Sequence, residues 1–281
     1  MEIKVADNRI FLFAEGISLE DAKQKAWEKK MSAFDTASKV VGFLSRTKDD
    51  DFEIIYQEQR YEPFWHVIAQ SKYVYDRTAD YQVPATGREV QSVTFCDQEY
   101  KTQNGKFHLR VMEHCSQEEK KEVFVNGVSG KNEPELATYL ARSSLLVTEG
   151  LDKQTAKGSI VVPPQARVSA IMRETLSQMI TGIQADTIIE EAVEVSCVDL
   201  YYHPVYAFQY RWISKNKEGI LEVDGITGEV TSGTRIFSEY LGRALDRDFL
   251  FDLGADATGM LIPGGNIAVK VAKHYLDVKD K

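Results

Sequence analysis

Cys96, His108, His114 and Cys115 are of the donor types that bind zinc, and they fall within one stretch of the chain. Thiolate and imidazole are the usual ligands of structural zinc sites. Their spacing argues against such a site here. Cys96 stands outside any Cys-x-x-Cys, and His114 and Cys115, adjacent on a strand, project to opposite faces. Surface histidines and small buried thiols are the expectation. A second chemistry would be nucleophilic, with Cys197 attacking and His203 as base. Pro204 bends the chain beside that pair and no oxyanion loop is recognisable, so no catalytic residue is assigned. Gly264 and Gly265 precede a helical pattern, where free amides suit an anion. The surrounding "GADATGMLIPGGN" forms neither a phosphate loop nor a dinucleotide fingerprint, and ordinary turn chemistry accounts for its glycines. No cofactor or metal is expected, and the acidic run Asp49–Asp51 reads as a solvated loop.

The residues around these candidates show a repeat. Adding 141 to each number lays the first half of the chain on the second: Tyr61 meets Tyr202, Pro63 meets Pro204, Trp65 meets Tyr206, Val67 meets Phe208, and Thr86-Gly87 meets Thr227-Gly228. Apolar residues alternate over Phe52, Ile54, Tyr56 and over Val193, Val195, Cys197, as in strands with one buried face. Each proline predicts a bend, a strand start or an edge, because it removes a ladder donor. "NKEG" and "DGITGE" read as turns flanking a strand "ILEVD", with "PATGRE" in the corresponding place of the first copy.

Each sheet unit follows a helix signal. Ser18 and Asp21 approximate a capping box ahead of Leu19, Ala22 and Ala26, with Ala33, Ala37, Val41 and Leu44 further on. In the second copy Pro164 opens a helix whose stripe is Val168, Ile171, Met172, Leu176, Met179 and Ile183. The fifteen-residue stretch "VDLYYHPVYAFQYRW" puts Tyr206, Phe208, Tyr210 and Trp212 on one strand face, predicted to pack onto that second helix. Between the copies lie two further strands, Phe107–Cys115 and Glu122–Gly130, a helix opened by Asn132 and Pro134, and a polar linker, Glu149–Ser159. A Gly-rich segment then leads to a C-terminal helix capped by Asn266, with Ile267, Val271 and Tyr275 on its apolar side.

The predicted fold class is therefore α+β: two related modules, each a helix packed on an antiparallel β-meander, plus a C-terminal helix. The expected divisions are residues 1–100 and 161–240 for the modules, 101–160 for the strand–helix segment and linker, and 241–281 for the C-terminal part. The stretches "ISLEDAKQKAW" and "EVDGITGEV" resemble the PepSY domain, a small helix-plus-antiparallel-sheet module ending in a DG-x-TG-x-V turn. That resemblance spans roughly residues 17–90 and 165–230. It implies an extracytoplasmic module that restrains peptidases. "VDLYYHPVYAFQYRW" and "LIPGGNIAVKVAKHYLD" are also similar to segments of bacterial proteins of unknown function.

The totals narrow the function classes. With 281 residues and 43% hydrophobic content the chain can bury a substantial core. Its 34 basic against 43 acidic residues, net −9, disfavour a nucleic-acid binder, which needs concentrated positive charge. Three scattered cysteines and an N-terminus without a basic, long-apolar signal pattern point to a reducing compartment, the cytoplasm. No stretch has the apolar length of a membrane span, and the modest basic face of the C-terminal helix disfavours peripheral membrane contact. The leading expectation is a non-catalytic protein that binds a protein partner or self-associates. Trp65, His66, Tyr206, Trp212, Ile267, Val271 and Tyr275 are its candidate contacts. The alternatives are a hydrolase using a cysteine or a metal, and a PepSY-like peptidase-restraining module.

Overall fold

The structure is a computed structural model that describes residues 2–34, 49–148, 150–180 and 182–233. The segment carrying Gly264, Gly265, Ile267, Val271 and Tyr275 lies outside the described residues, as does the C-terminal helix expected there.

The chain does not form two self-contained helix-on-meander modules. It builds one mixed sheet of nine strands, with a separate two-stranded hairpin and, among the described residues, two α-helices. In chain order the strands are β1 (Glu2–Val5), β2 (Asn8–Phe13), β3 (Phe52–Pro84), β4 (Ser92–Phe95), β5 (Gln98–Lys101), β6 (Lys106–Asn126), β7 (Ser144–Leu146), β8 (Ile160–Val161), β9 (Thr187–Trp212), β10 (Lys217–Asp224) and β11 (Val230–Ser232). The helices are α1 (Leu19–Glu28) and α2 (Val168–Met179).

The sheet is continuous because β3 and β9 run through their prolines and pair with each other antiparallel from Phe52↔Trp212 to Asp76↔Thr187. Neither proline breaks its strand, contrary to the expectation from sequence. The Pro63 carbonyl accepts from the Gly127 amide at 2.8 Å, and the Pro204 carbonyl accepts from the Gly225 amide at 2.8 Å. In an antiparallel strand a residue's N–H and C=O point to the same side, so each missing N–H faces that same outer neighbour. There the ladder is already interrupted. On the outer side of β3, β8 stops at Tyr61 and β6 begins at Phe64; on the outer side of β9, β2 stops at Tyr202 and β10 begins at Val205. Each proline sits in the gap between two neighbours, where no donor is required.

About the central pair Glu62↔His203 the same bonds recur on both sides. In the turn Asn126–Lys131 the Asn126 side chain accepts from the amides of Val128 and Ser129, and the Gly130 amide returns to the Asn126 carbonyl. In the turn Asp224–Glu229 the Asp224 carboxylate accepts from Ile226 and Thr227, and the Gly228 amide returns to the Asp224 carbonyl. Gly130 and Gly228 both have positive φ, 72° and 73°, the region glycine enters without a Cβ penalty. The first-half counterpart of "DGITGE" is therefore "NGVSGK" and not "PATGRE".

Each turn also seats a helix start. The Gly127 carbonyl accepts from Gln165 and Ala166, just before α2, and the Gly225 carbonyl accepts from Gly16 and Ile17, just before α1. The helix of each half thus docks on the strands of the other. α1, capped by the Ser18 side chain accepting from the Asp21 amide at 3.1 Å, buries Ala22 and Ala26 over Tyr206, Phe208, Tyr210 and Trp212. α2 buries Val168, Ile171, Met172, Leu176 and Met179 over β3 and β6, in a cluster with Trp65, Val67 and Val125 that continues into Val198, Leu200 and Tyr202 of β9. The aromatic row packs under the first helix, not under the second as its place in the sequence suggested.

Gly127 and Gly225 make this arrangement possible by their lack of a side chain. A Cβ would stand 2.7 Å from the Pro63 carbonyl oxygen at one position and 2.8 Å from the Pro204 carbonyl oxygen at the other. Gly127→Ala and Gly225→Ala are each expected to lose about 1–3 kcal/mol in urea unfolding, from forced displacement of a hydrogen-bonded backbone. A neutral effect at either position would show that the two turns are not held in the same way.

Candidate functional site

The described residues bring together one buried group of metal-ligating side chains: His66, Cys197 and Asp199. Strand register places them. His66 on β3 lies directly opposite Asp199 on β9, and Cys197, two residues before Asp199, projects from the same face. On the far side of β9, Arg9 of the parallel strand β2 also lies opposite Asp199. On the far side of β3, Phe124 of β6 lies opposite His66. This is the face opposite α1 and α2, where Phe13, Phe64, Phe124, Tyr201 and Leu136 form a compact cluster with Tyr139 against it.

The three side chains are closed off from solvent, with His66 at 5%, Cys197 at 6% and Asp199 at 2% exposure. The Cys197 sulfur lies 3.1 Å from Asp199 Oδ2 and 3.7 Å from His66 Nδ1. Arg9 grips the carboxylate from outside, its Nε and Nη2 donating to Oδ1 and Oδ2 at 2.8 Å each. This two-point geometry suits a planar guanidinium. His66 Nε2 lies 2.7 Å from Glu122 Oε1, and the imidazole stacks on the Phe124 ring at 4.5 Å and 5°. Burial and the hydrogen bond to Asp199 push the Cys197 thiol up to about 12, with Arg9 opposing only in part. At neutral pH the sulfur is a thiol, not the thiolate that nucleophilic chemistry needs.

That assignment predicts an order of reactivity. Cys96 is exposed, Cys115 partly so, and Cys197 buried. In alkylation of the native chain followed by mass spectrometry, Cys96 is expected to react first and Cys197 only on unfolding. Rapid labelling of Cys197 would show an activated, accessible thiolate.

The other candidates read from sequence fall elsewhere. Trp65 is buried beneath α2 and its indole N–H donates to the Ala166 carbonyl at 2.8 Å. The Tyr206 hydroxyl donates to the Ile17 carbonyl at 2.9 Å, beside α1. Trp212 is wholly buried and its indole N–H donates to Asp51 at 2.7 Å. All three are packing residues, so only His66 belongs to the cluster. Cys96 occupies a tight turn between β4 and β5, with Asp97 also at positive φ. His108 and His114 lie six residues apart on β6, roughly 20 Å along an extended strand, and pair with Asp80 and Asp76 respectively. Cys115 lies opposite Tyr75. These four do not converge.

Nor do Cys197 and His203 form a pair. His203 lies six residues along β9 and stacks on Tyr139 at 5.2 Å. Burial lowers its pKa and keeps the ring neutral. Arg9, Glu122 and Asp199 were missed from sequence. The alternation Cys197-x-Asp199 on one strand face was the only local signal, and register alone supplies the rest.

Comparison with protein-family models, with curated proteins and with solved structures finds no match. No described helix is long and apolar enough to cross a membrane.

Proposed function

We propose that the protein is a non-catalytic binding or assembly protein, and that it engages a protein partner through a two-stranded arm at the far end of β3 and β6. The carrying observation is that arm. β9 ends opposite Asp76, whereas β3 and β6 continue as a pair from Arg77↔Glu113 to Pro84↔Lys106. One face carries the ion pair Arg77–Glu113 and then Ala79, Val111, Tyr81, Leu109, Val83 and Phe107; the other carries Thr78, Met112, Asp80, Arg110, Gln82 and His108.

Beyond Arg77 and Glu113, which the Tyr81 hydroxyl also joins, the first face is apolar; Tyr81 on it is 49% exposed, while Phe107 at its far end is buried beside Tyr100 of β5. At its base Ile188, 52% exposed, lies opposite Tyr75 on that same side, next to Ile189 at 62%. A two-stranded ribbon is marginally stable in water without a covering layer, and exposed apolar side chains such as Tyr81, Ile188 and Ile189, flanking the Arg77–Glu113 ion pair, suit protein–protein contact. A cysteine-dependent hydrolase is the poorer reading, because the buried Cys197 is held as a thiol.

The test is to replace Arg77–Glu113 with Asn-Gly, joining the cross-strand partners Asp76 and His114. The core is expected to fold unchanged. Self-association in sedimentation, or retention of a partner in pull-down from the native organism, is expected to be lost. Retention of the same oligomer or partner without the arm overturns the proposal. So does a full chain that neither self-associates nor retains any protein. A peptidase among the retained proteins, inhibited by the full chain, would support the restraining role implied by the PepSY resemblance.

A further inference from the structure

We infer that His66, Cys197 and Asp199 form a binding site for one divalent transition ion of borderline softness, of which zinc is the representative. The site lies on the closed face of the sheet and does not depend on the arm or on what the arm binds.

The first argument is a shortage of protons. His66 Nε2 faces the Glu122 carboxylate at 2.7 Å, so in a neutral imidazole the ring proton belongs there and Nδ1 carries a lone pair. That lone pair and Asp199 Oδ2 both face Cys197, at 3.7 and 3.1 Å. The thiol has one hydrogen for three acceptors, the His66 carbonyl at 3.7 Å being the third; Asp199 Oδ2 also accepts from Arg9, whereas buried Nδ1 has the thiol as its donor. A cation between the three donor atoms would satisfy all of them at once.

The second argument is geometric. With zinc–sulfur near 2.3 Å and zinc–nitrogen or zinc–oxygen near 2.0–2.1 Å, donor atoms of a tetrahedral site stand about 3.3–3.6 Å apart. The sulfur already stands 3.1 Å from one partner and 3.7 Å from the other, and all three donor atoms lie within 4.8 Å of one another. Shifts of a few tenths of an ångström are needed about the sulfur, and His66 Nδ1 and the Asp199 carboxylate, within 4.8 Å of each other, would have to close on the ion.

The third argument is the surrounding shell. A metal-bound histidine usually donates its other N–H to a carboxylate, which fixes tautomer and ring orientation. Glu122 stands in that place, and the Phe124 ring holds the imidazole plane. Arg9 holds the carboxylate by two bonds. Binding replaces the Cys197 S–H with a sulfur–metal bond and releases the proton to solvent. The ion's two positive charges then offset the thiolate and Asp199, and Arg9 offsets Glu122. The assembly is neutral, as a buried site requires. Three protein donors leave a fourth position for water or an exogenous ligand.

The test uses the full chain, stripped with a chelator and titrated with Zn²⁺ and with Co²⁺. One equivalent is expected to bind. The cobalt form should show tetrahedral visible bands and a thiolate-to-metal charge-transfer band in the near ultraviolet. Cys197→Ser should abolish the charge-transfer band and weaken uptake at least tenfold. Glu122→Gln should weaken uptake 10–100-fold while keeping the band. The combined variant Cys96→Ser, His108→Asn, His114→Asn should leave both unchanged.

Uptake that survives Cys197→Ser, or a band lost in the surface variant, overturns the assignment. So does the absence of stoichiometric binding, with His66 found by NMR as an imidazolium instead. If Cys197→Ser does not fold, the cobalt spectrum of the unaltered chain and the Glu122→Gln affinity still decide, since the Glu122 side chain is 42% exposed.

Discussion

Arg60→Met is expected to destabilise the protein by about 3–5 kcal/mol, the loss associated with removing one partner from a buried ionic network. Arg60 lies in β3 with its side chain 1% exposed. Its Nη1, Nε and Nη2 reach Glu58 at 3.0 Å, Glu62 at 2.6 Å and Glu222 at 2.9 Å. Burial works against the guanidinium charge, yet Glu62 and Glu222 outweigh it and the pKa is raised. Methionine matches much of the volume but leaves three carboxylates without their cation, and Glu58 is as enclosed as the arginine. Arg60→Lys should recover little, because an ammonium cannot form the planar fork that serves three acceptors. Urea unfolding measures both variants. The control is Arg211→Met: Arg211 pairs with Glu53 and Glu218 with its side chain 44% exposed, and its loss should cost no more than about 1 kcal/mol. Equal effects at the two arginines would show that the buried network is not the source.

The second large effect is expected at Trp212, where alanine should cost about 3–5 kcal/mol. Its ring packs between Phe34 at 5.4 Å and Phe52 at 5.2 Å, in the cluster that α1 covers. The substitution opens a cavity and leaves Asp51 without the indole donor held at 2.7 Å. Trp212→Phe should recover most of the packing and none of that hydrogen bond. Thermal and urea unfolding, followed by far-ultraviolet circular dichroism, separate the two terms. A mild effect of Trp212→Ala, with loss of partner binding, would instead mark this residue as a contact surface.

The strands were legible because alternation is local: Val193, Val195 and Cys197 are all buried, as their spacing required. The aromatic row was legible as core for the same reason. What failed was every inference that needed to know a neighbour. Pro63 and Pro204 read as bends, strand starts or edges, since nothing in the sequence shows that their missing donors face gaps between β8 and β6 or between β2 and β10. The helices read as partners of the strands that follow them, whereas Gly127 and Gly225 seat each on the other half. A gap-free offset could not find "NGVSGK", because the first hairpin carries the whole arm between Phe64 and Asn126 while the second runs only from Val205 to Asp224. The site is illegible on the same ground. His66 and Asp199 become neighbours only through register, and the pairing of His66 with Cys197 rather than His203 follows from which strand lies across from which.

The exchange of helix seats also dictates an order of events during synthesis. α1 leaves the ribosome well before most of the surface it covers, which is made largely of Tyr206, Phe208, Tyr210, Trp212, Leu221 and Val223. β3 pairs with β6 from Phe64 to Pro84, but its stretch from Phe52 to Gln59 finds its partner only when β9 has emerged. At about 5–20 residues per second the wait is on the order of ten seconds. For that time α1 and the Phe52–Gln59 part of β3, which pairs with β9 and not with β6, have no native partner to bury against. The β3–β6 hairpin can form early, whereas the seat of α1 waits for the C-terminal half. A nascent chain stalled before residue 200 exposes what a chaperone recognises.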